Sequence, residues 1–286
     1  MVKYLAKRVM YMLLTLWLIA SFTFFLMQII PGTPFKNANK LSDTQLQIMM
    51  DKYGLDDPVP VQYLKYMGNL LQGDLGNSFQ YDNTPVTDIL GGLIGPSAQL
   101  GFQAMVFGTI VGIALGLISA LKQNTWIDYG ATFIAILGKS IPSFVFAGLL
   151  QYWIGVKLGW LPVAFWRGWE YSILPTIALS IFPISIAARF MSTEMIEHAL
   201  RNALIPVVTV LGPLMVSLMT GSLVIEKIFS VPGIGSQFVT SIQTNDYQVI
   251  MGTTLLFAAL FVFVVLIVDI LYGLIDPRIR LAGGKK

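Results

Sequence analysis

The stretch AARFMSTEMIEHALRNALIP, Ala187 to Pro206, decides how this chain is read. Long apolar runs lie on both sides of it. Within it sit Arg189, Glu194, Glu197, His198 and Arg201. Two membrane-spanning segments meet here on one side of a bilayer. Composition alone leaves two readings of such a charged knuckle. One is interfacial anchoring of two helix ends, where charges are the norm. The other is a docking site for a soluble partner.

The rest of the chain supports a membrane setting. Mean hydropathy is +0.72. Of the 286 residues, 55% are hydrophobic and only 12% charged. Soluble domains carry about 25% charged residues, so the composition is that of an integral membrane protein. The net charge of +3 is small and its basic residues are scattered, which argues against a nucleic-acid partner. There is no cysteine, hence no disulfide or thiolate chemistry. The basic N-terminus, MVKYLAKRVM, precedes an apolar run too long for a signal h-region and without a small-residue cleavage site. It is read as an uncleaved first span.

Hydropathy predicts six spans in an all-α protein. Span one, Val9 to Ile30, covers about 33 Å at about 1.5 Å per residue, and Pro31, Gly32 and Pro34 end it. Residues 36–95 form the one long polar region. LSDTQLQIMMDKYGL reads as an amphipathic helix stopped at Gly54, and Asp57-Pro58 turns the chain. VQYLKYMGNLLQ reads as a second helix stopped by Gly73. Span two runs from about Ser97 to Leu121, with Gly108, Gly112 and Gly116 on one helix face for close packing. Span three, about Tyr129 to Val156, carries Pro142 as a kink. A loop rich in tryptophan (Trp160, Trp166, Trp169) suits an interface. Span four covers about Ser172 to Met191, and span five about Ala203 to Ile225. A polar loop follows, and span six covers about Val249 to Ile275. The expected organisation is therefore 1–35, N-terminus and first span; 36–95, an extracytoplasmic helical segment; and 96–286, a five-helix core.

Lysine and arginine set the orientation. Lys3, Lys7, Arg8, Lys122, Arg189, Arg201, Arg278, Arg280, Lys285 and Lys286 share the side of the termini. The opposite side holds Lys36, Lys40, Lys52, Lys65, Lys157, Arg167 and Lys227, mostly in the long segment, which counts for little. The prediction is a multi-pass cell-membrane protein with both termini cytoplasmic.

Chemistry-bearing motifs are scarce. No G-x-x-x-x-G-K-[ST] is present, and the single histidine, His198, excludes HExxH and a histidine-rich metal site. Asp56 and Asp57 read as a helix C-terminal turn closed by Pro58 rather than a metal or acid–base pair. No nucleophile–base pair is recognisable. Lys139 lies about 16 Å into span three, too deep to snorkel, so it faces a polar path, pairs with an acid, or is buried neutral.

Several motifs then converge. FFLMQIIPGTP (24–34), YGLDDPVPVQYLKYMGNLLQGDLGNSF (53–79), IPSF (141–144), LPTIALS (174–180), EKIFSVPGIG (226–235) and VDILYGLIDPRIRL (268–281) stand in order along nearly the whole chain. Together they resemble the B-type membrane subunit of the oligopeptide and dipeptide permeases, in the binding-protein-dependent ABC importers.

The resemblance implies a type I importer permease fold and an ATP-driven importer of peptides. The chain would pair with a second homologous permease subunit as a heterodimer. Two ATPase subunits would dock below, an extracytoplasmic peptide-binding protein would deliver cargo above, and ATP would be held by the partners and no cofactor by this chain. An importer of another small solute (nickel, glutathione), a non-transport membrane scaffold and an intramembrane enzyme are the alternatives. Under the resemblance Glu194, Glu197, His198, Arg201 and Asn202 take the ATPase-docking role. Lys139, which is not part of the resembled pattern and is assigned from its depth in span three, is expected to line the translocation path with Ser140, Pro142 and Ser143. Gly54, Asp56, Pro58, Gln62, Tyr63, Glu226, Phe229, Pro232, Gly233 and Gly235 form the outer-face motif.

One departure is large. The resembled family carries a helical coupling segment between spans four and five, and only its ending, from His198 to Pro206, is present here. Pro183 and Pro206 enclose 22 residues without Gly or Pro, yet the topology requires a reversal between them. The expectation is a break between Glu197 and His198, or a chain that is short at this point.

Overall fold

The computed structural model describes residues 2–31, 35, 42–197, 214, 218 and 223–275, without the side chains of 2–5, 52, 137, 139, 192–197 and 267–275. Among the described residues the regular structure is helical, with no β-ladder beyond one isolated bridge between Asn77 and Pro85. The helices are α1 (Val2–Ile29), α2 (Asp43–Lys52), α3 (Val59–Leu71), α4 (Val86–Leu121), α5 (Trp126–Ser140), α6 (Ser143–Leu150), α7 (Ile173–Glu197), α8 (Leu223–Ile228), α9 (Ile234–Gln243) and α10 (Tyr247–Ile275). A π-helical stretch, Gln151–Lys157, extends α6, and a 3-10 turn, Trp169–Ser172, leads into α7.

Among the described residues four segments are long and apolar enough to cross a membrane: Ala6–Ile29, Val86–Leu121, Trp169–Met191 and Tyr247–Leu266. The third expected span departs from expectation. It is not one kinked helix but two, broken at Ile141-Pro142. Pro142 has no N–H to donate and stands in extended conformation (φ −56°, ψ 133°), so α5 ends before it. Its carbonyl then accepts the Val145 and Phe146 amides and starts α6. The second span also differs, because α4 begins at Val86, 11 residues before the expected Ser97, and Pro96 lies inside it. Gly95 lacks the Cβ that would collide with the proline ring, which removes part of the usual helix-breaking penalty. Most of the expected fifth span falls outside the described residues, which include 214, 218 and 223–225 of it.

The chain divides into two compact units. One comprises Met1–Gly92 with Gln237–Ala259, the other Leu93–Ser236 with Leu260–Lys286.

In the first unit, α2 carries a capping box: the Ser42 hydroxyl accepts the Gln45 amide, and the Gln45 side chain accepts the Ser42 amide. It ends at Gly54, whose φ of +65° suits glycine. Pro58 starts α3, which lies on α1. Tyr63 stacks on Phe25 at 5.3 Å between ring centroids and Tyr66 on Phe24 at 5.5 Å. Phe24 and Met27 of α1 close a small core with Ile250 and Met251 of α10. Burial, with Tyr63 nearby, pushes the Tyr66 phenol up to about 12.

In the second unit, the glycine face of α4 meets α7. A Cβ on Gly108 would come within 2.6 Å of the Pro183 Cβ, and one on Gly112 within 2.6 Å of the Ile184 carbonyl oxygen. Gly116 stands equally tight against the Ala188 carbonyl, and Gly138 of α5 against the Ile181 carbonyl. This is the small-residue close approach of membrane helices. Around it Leu100, Ala104, Leu174, Ala178, Ile225 and Phe229 form the core.

Candidate functional site

The motif residues between α2 and α3 form a brace on α1. Gly54 turns the chain. Asp56 accepts the Gln47 amide nitrogen at 2.8 Å. The Gln62 side-chain nitrogen donates to the carbonyls of Leu55 (2.9 Å) and Asp57 (2.8 Å), closing the loop that Pro58 ends. The Gln62 oxygen accepts from Gln28 at 3.0 Å, and the Tyr63 hydroxyl meets the Ser21 hydroxyl at 2.8 Å. The Asp57–Lys65 ion pair, 2.6 Å, is exposed. Such pairs contribute about 0–1 kcal/mol, so the brace rests on the ring stacks and the Gln62 bonds.

In the same unit Asp246 is fully buried. Its carboxylate accepts the Ser78 hydroxyl and the amide of Phe79. It also bonds the Val249 amide in the first turn of α10. Burial pushes the Asp246 carboxyl up, against the pull of these donors. Gly76 (φ +79°) brings the 74–78 backbone against Gln248, where a Cβ would lie 2.8 Å from Oε1. Sequence reasoning missed both Ser78 and Asp246. The aspartate one residue before an apolar helical run is a helix-start signal that points to it. Ser78 has no local signal.

In the second unit the stretch 226–235 is organised by one acid. Glu226 is fully buried in α8. Ser97 of α4 donates to its Oε1 at 2.7 Å, the Ser236 amide donates to Oε2 at 2.9 Å, and the Gly235 amide adds a third bond. The Ser97 hydroxyl in turn accepts the Ile234 amide at 2.9 Å. The first amides of α9, which have no partner within the helix, thus fall on Glu226 and Ser97. Burial pushes the Glu226 carboxyl up, and the three donors hold it back. Gly233 is required, because a Cβ there would strike the Glu226 Oε2. Phe229 is buried, and its carbonyl accepts the Phe165 amide at 2.8 Å. Pro232 is exposed at the tip of the turn. The motif residues Glu226, Phe229, Pro232, Gly233 and Gly235 are therefore brought together; Ser97 is the member that sequence reasoning did not find.

A cleft of about 350 Å³ lies between α4, α5 and α7. Gly116, Ala131, Ala135 and Ala188 give it room, and Ser119, Thr132, Ser140, Ser185 and Arg189 give it polarity. Ser140, expected on the translocation path, lines it. Pro142 and Ser143 form the break in span three beside it. The Lys139 side chain lies outside the description. Asp128 accepts the Ser119 hydroxyl, the Thr132 hydroxyl at 3.4 Å and the Asn124 amide at 3.0 Å, which hold its carboxyl below the usual range. Among the described residues no three acids or histidines are placed to hold a metal. Of the docking residues, Glu194 and Glu197 lie on the last turns of α7, while His198, Arg201 and Asn202 fall outside the described residues. The expected break between Glu197 and His198 falls there too.

Comparison with known sequences identifies the family. The profile "Binding-protein-dependent transport system inner membrane component" matches residues 112–198 and 192–281, and its N-terminal companion matches residues 1–90. The chain belongs to this family of transport-system membrane components. The permease is 43% identical to the dipeptide transport system permease protein of Lactococcus lactis subsp. cremoris, over 98% of this chain and 100% of that one. It is 40% identical to the protein of the same description in Bacillus subtilis, over 98% and 99%. It is 38% identical to the oligopeptide transport system permease protein of Haemophilus influenzae, over 98% and 100%. The first two alignments run over 304 positions. The permease has only 286 residues, so these relatives carry residues at positions where it has none. The family match itself splits at 192–198.

Proposed function

We propose that this chain is the B-type permease subunit of an ATP-driven peptide importer in the cell membrane. Both termini face the cytoplasm, a second homologous permease completes a heterodimer, two ATPase subunits bind below, and an extracytoplasmic binding protein delivers peptide. The reading rests on one observation: near-full-length identity of 38–43% to proteins described as dipeptide and oligopeptide permeases. The broken third span supports it, since discontinuous membrane helices accompany solute paths. ATP belongs to the partners. Co-expression with the three partner types and reconstitution into liposomes tests the reading. ATP-dependent uptake of a labelled peptide is expected; uptake of nickel or glutathione but not peptide would overturn the cargo.

A specific observation favours a second element. The extra positions of the relatives, together with the split at 192–198, point to a shortened connector between spans four and five. In this reading Glu194, Glu197, His198, Arg201 and Asn202 flank the place where a coupling helix would enter an ATPase groove. Inserting the corresponding segment of a relative between Glu197 and His198 is expected to raise peptide-stimulated ATP hydrolysis severalfold. Full coupling without the insertion would overturn the shortening as a functional defect.

A further inference from the structure

The cleft between α4, α5 and α7 is not absorbed by the brace, by the Glu226 turn or by the docking residues. We propose that it is a binding site for a peptide with free termini on its way through the permease, with Arg189 receiving the peptide carboxylate. This rests on the peptide-permease reading.

Four observations carry it. Arg189 lines the cleft, is exposed, and has no hydrogen-bond or ion-pair partner among the described residues. It stands two residues before the end of the membrane-crossing stretch Trp169–Met191. An exposed guanidinium without a partner at this membrane edge is available to the carboxylate of a bound molecule. On the opposite wall, the hydroxyls of Ser119 and Thr132 spend their protons on Asp128. The Asp128 carboxylate that takes these hydroxyls favours an ammonium on this side, while α7 offers a guanidinium.

The cleft is also deep. Ser140 is 14 residues along α5 from Trp126, about 21 Å at 1.5 Å per residue. It sits beside the break at Pro142. A phospholipid could match the charge pair at the mouth, but its acyl chains would then lie on the hydroxyls of Ser140 and Ser185, leaving them unsatisfied. A peptide backbone can bond them. The volume, about 350 Å³, is within the common range of small-ligand clefts, about 300–1,000 Å³.

The test uses the complete transporter in liposomes, with saturating binding protein. Uptake of a free-acid dipeptide is compared with that of its C-terminal amide. Because the binding protein is the same throughout, a change in the acid-to-amide ratio reports on this chain. Arg189→Gln is expected to lower that ratio about tenfold or more, and Arg189→Lys to restore part of it. The chain has no cysteine, so Ser140→Cys supplies a single thiol, which peptide should protect from a water-soluble thiol reagent. An unchanged ratio in Arg189→Gln overturns the site, as does a thiol that peptide leaves unprotected. If Arg189→Gln fails to assemble, protection at Ser140→Cys decides alone. If the wild-type complex takes up neither peptide, the peptide-permease reading falls and this site with it.

Discussion

The Ser97 hydroxyl donates to Glu226 at 2.7 Å and accepts the Ile234 amide at 2.9 Å, joining α4, α8 and the start of α9 through one oxygen. Removing that oxygen costs two buried groups a partner. Ser97→Ala is expected to destabilise the second unit by about 2–4 kcal/mol, since each orphaned buried group costs about 1–3 kcal/mol. Tryptophan fluorescence during thermal unfolding in detergent reads this directly. A loss under about 0.5 kcal/mol, the scale of an ordinary surface change, would show that the bond carries little.

The glycine face of α4 gives a steric prediction. Gly112→Ala places a methyl against the Ile184 backbone of α7. Overpacking of this kind costs about 1–3 kcal/mol. Gly130→Ala, where the space is open, is the matched control and should be nearly neutral. Equal unfolding temperatures for the two variants would contradict the close approach.

The buried acids predict a pH dependence of definite sign. Burial raises the Asp246 carboxyl above its ordinary value, and Glu226 likewise. The native state then binds these protons more tightly than the unfolded chain does. Their contribution is full below the unfolded values and is lost as pH rises through the raised, native ones. Mild acidification from neutral should therefore raise the unfolding temperature, and Asp246→Asn should flatten part of that slope. Asp128 acts oppositely and at lower pH. Its carboxyl is lowered, so its contribution is present above the ordinary value and lost as pH falls through the native one. A wild-type unfolding temperature that falls between neutral and mildly acidic pH would refute the assignment for the two buried acids.

The brace on α1 separates packing from hydrogen bonding. Tyr63→Phe loses the Ser21 bond but keeps the stack on Phe25. It should cost about 1 kcal/mol, the usual net value of a hydrogen bond. Gln62→Ala frees the Leu55 and Asp57 carbonyls and should loosen the 54–58 turn more. If this segment supports the binding-protein dock, Gln62→Ala reduces binding-protein stimulation of uptake while leaving basal ATP hydrolysis unchanged. Unaltered stimulation would remove the docking role.

Topology has its own check. Thiols introduced at Asn39 and Gly284 should be labelled from opposite sides of the membrane. Labelling of both from one side would contradict cytoplasmic termini.

Residues by themselves determined the membrane class, the helical content and the turn glycines at 54 and 73, because hydropathy, helix period and backbone freedom are properties of neighbouring residues. They also marked Pro142, but not whether the helix would bend or break there. The break followed from where the chain could restart, with the Pro142 carbonyl taking the first amides of α6. Ser97 lies 129 residues from Glu226, and Ser78 lies 168 from Asp246. No local pattern links such positions. Each acid is tolerated in the interior only because folding delivers hydroxyl and amide donors to it from distant parts of the chain. Arg189 shows the same division: its charge was legible as a topology signal, while the cleft it lines exists only because Gly116 and Gly138 let α4 and α5 close on α7.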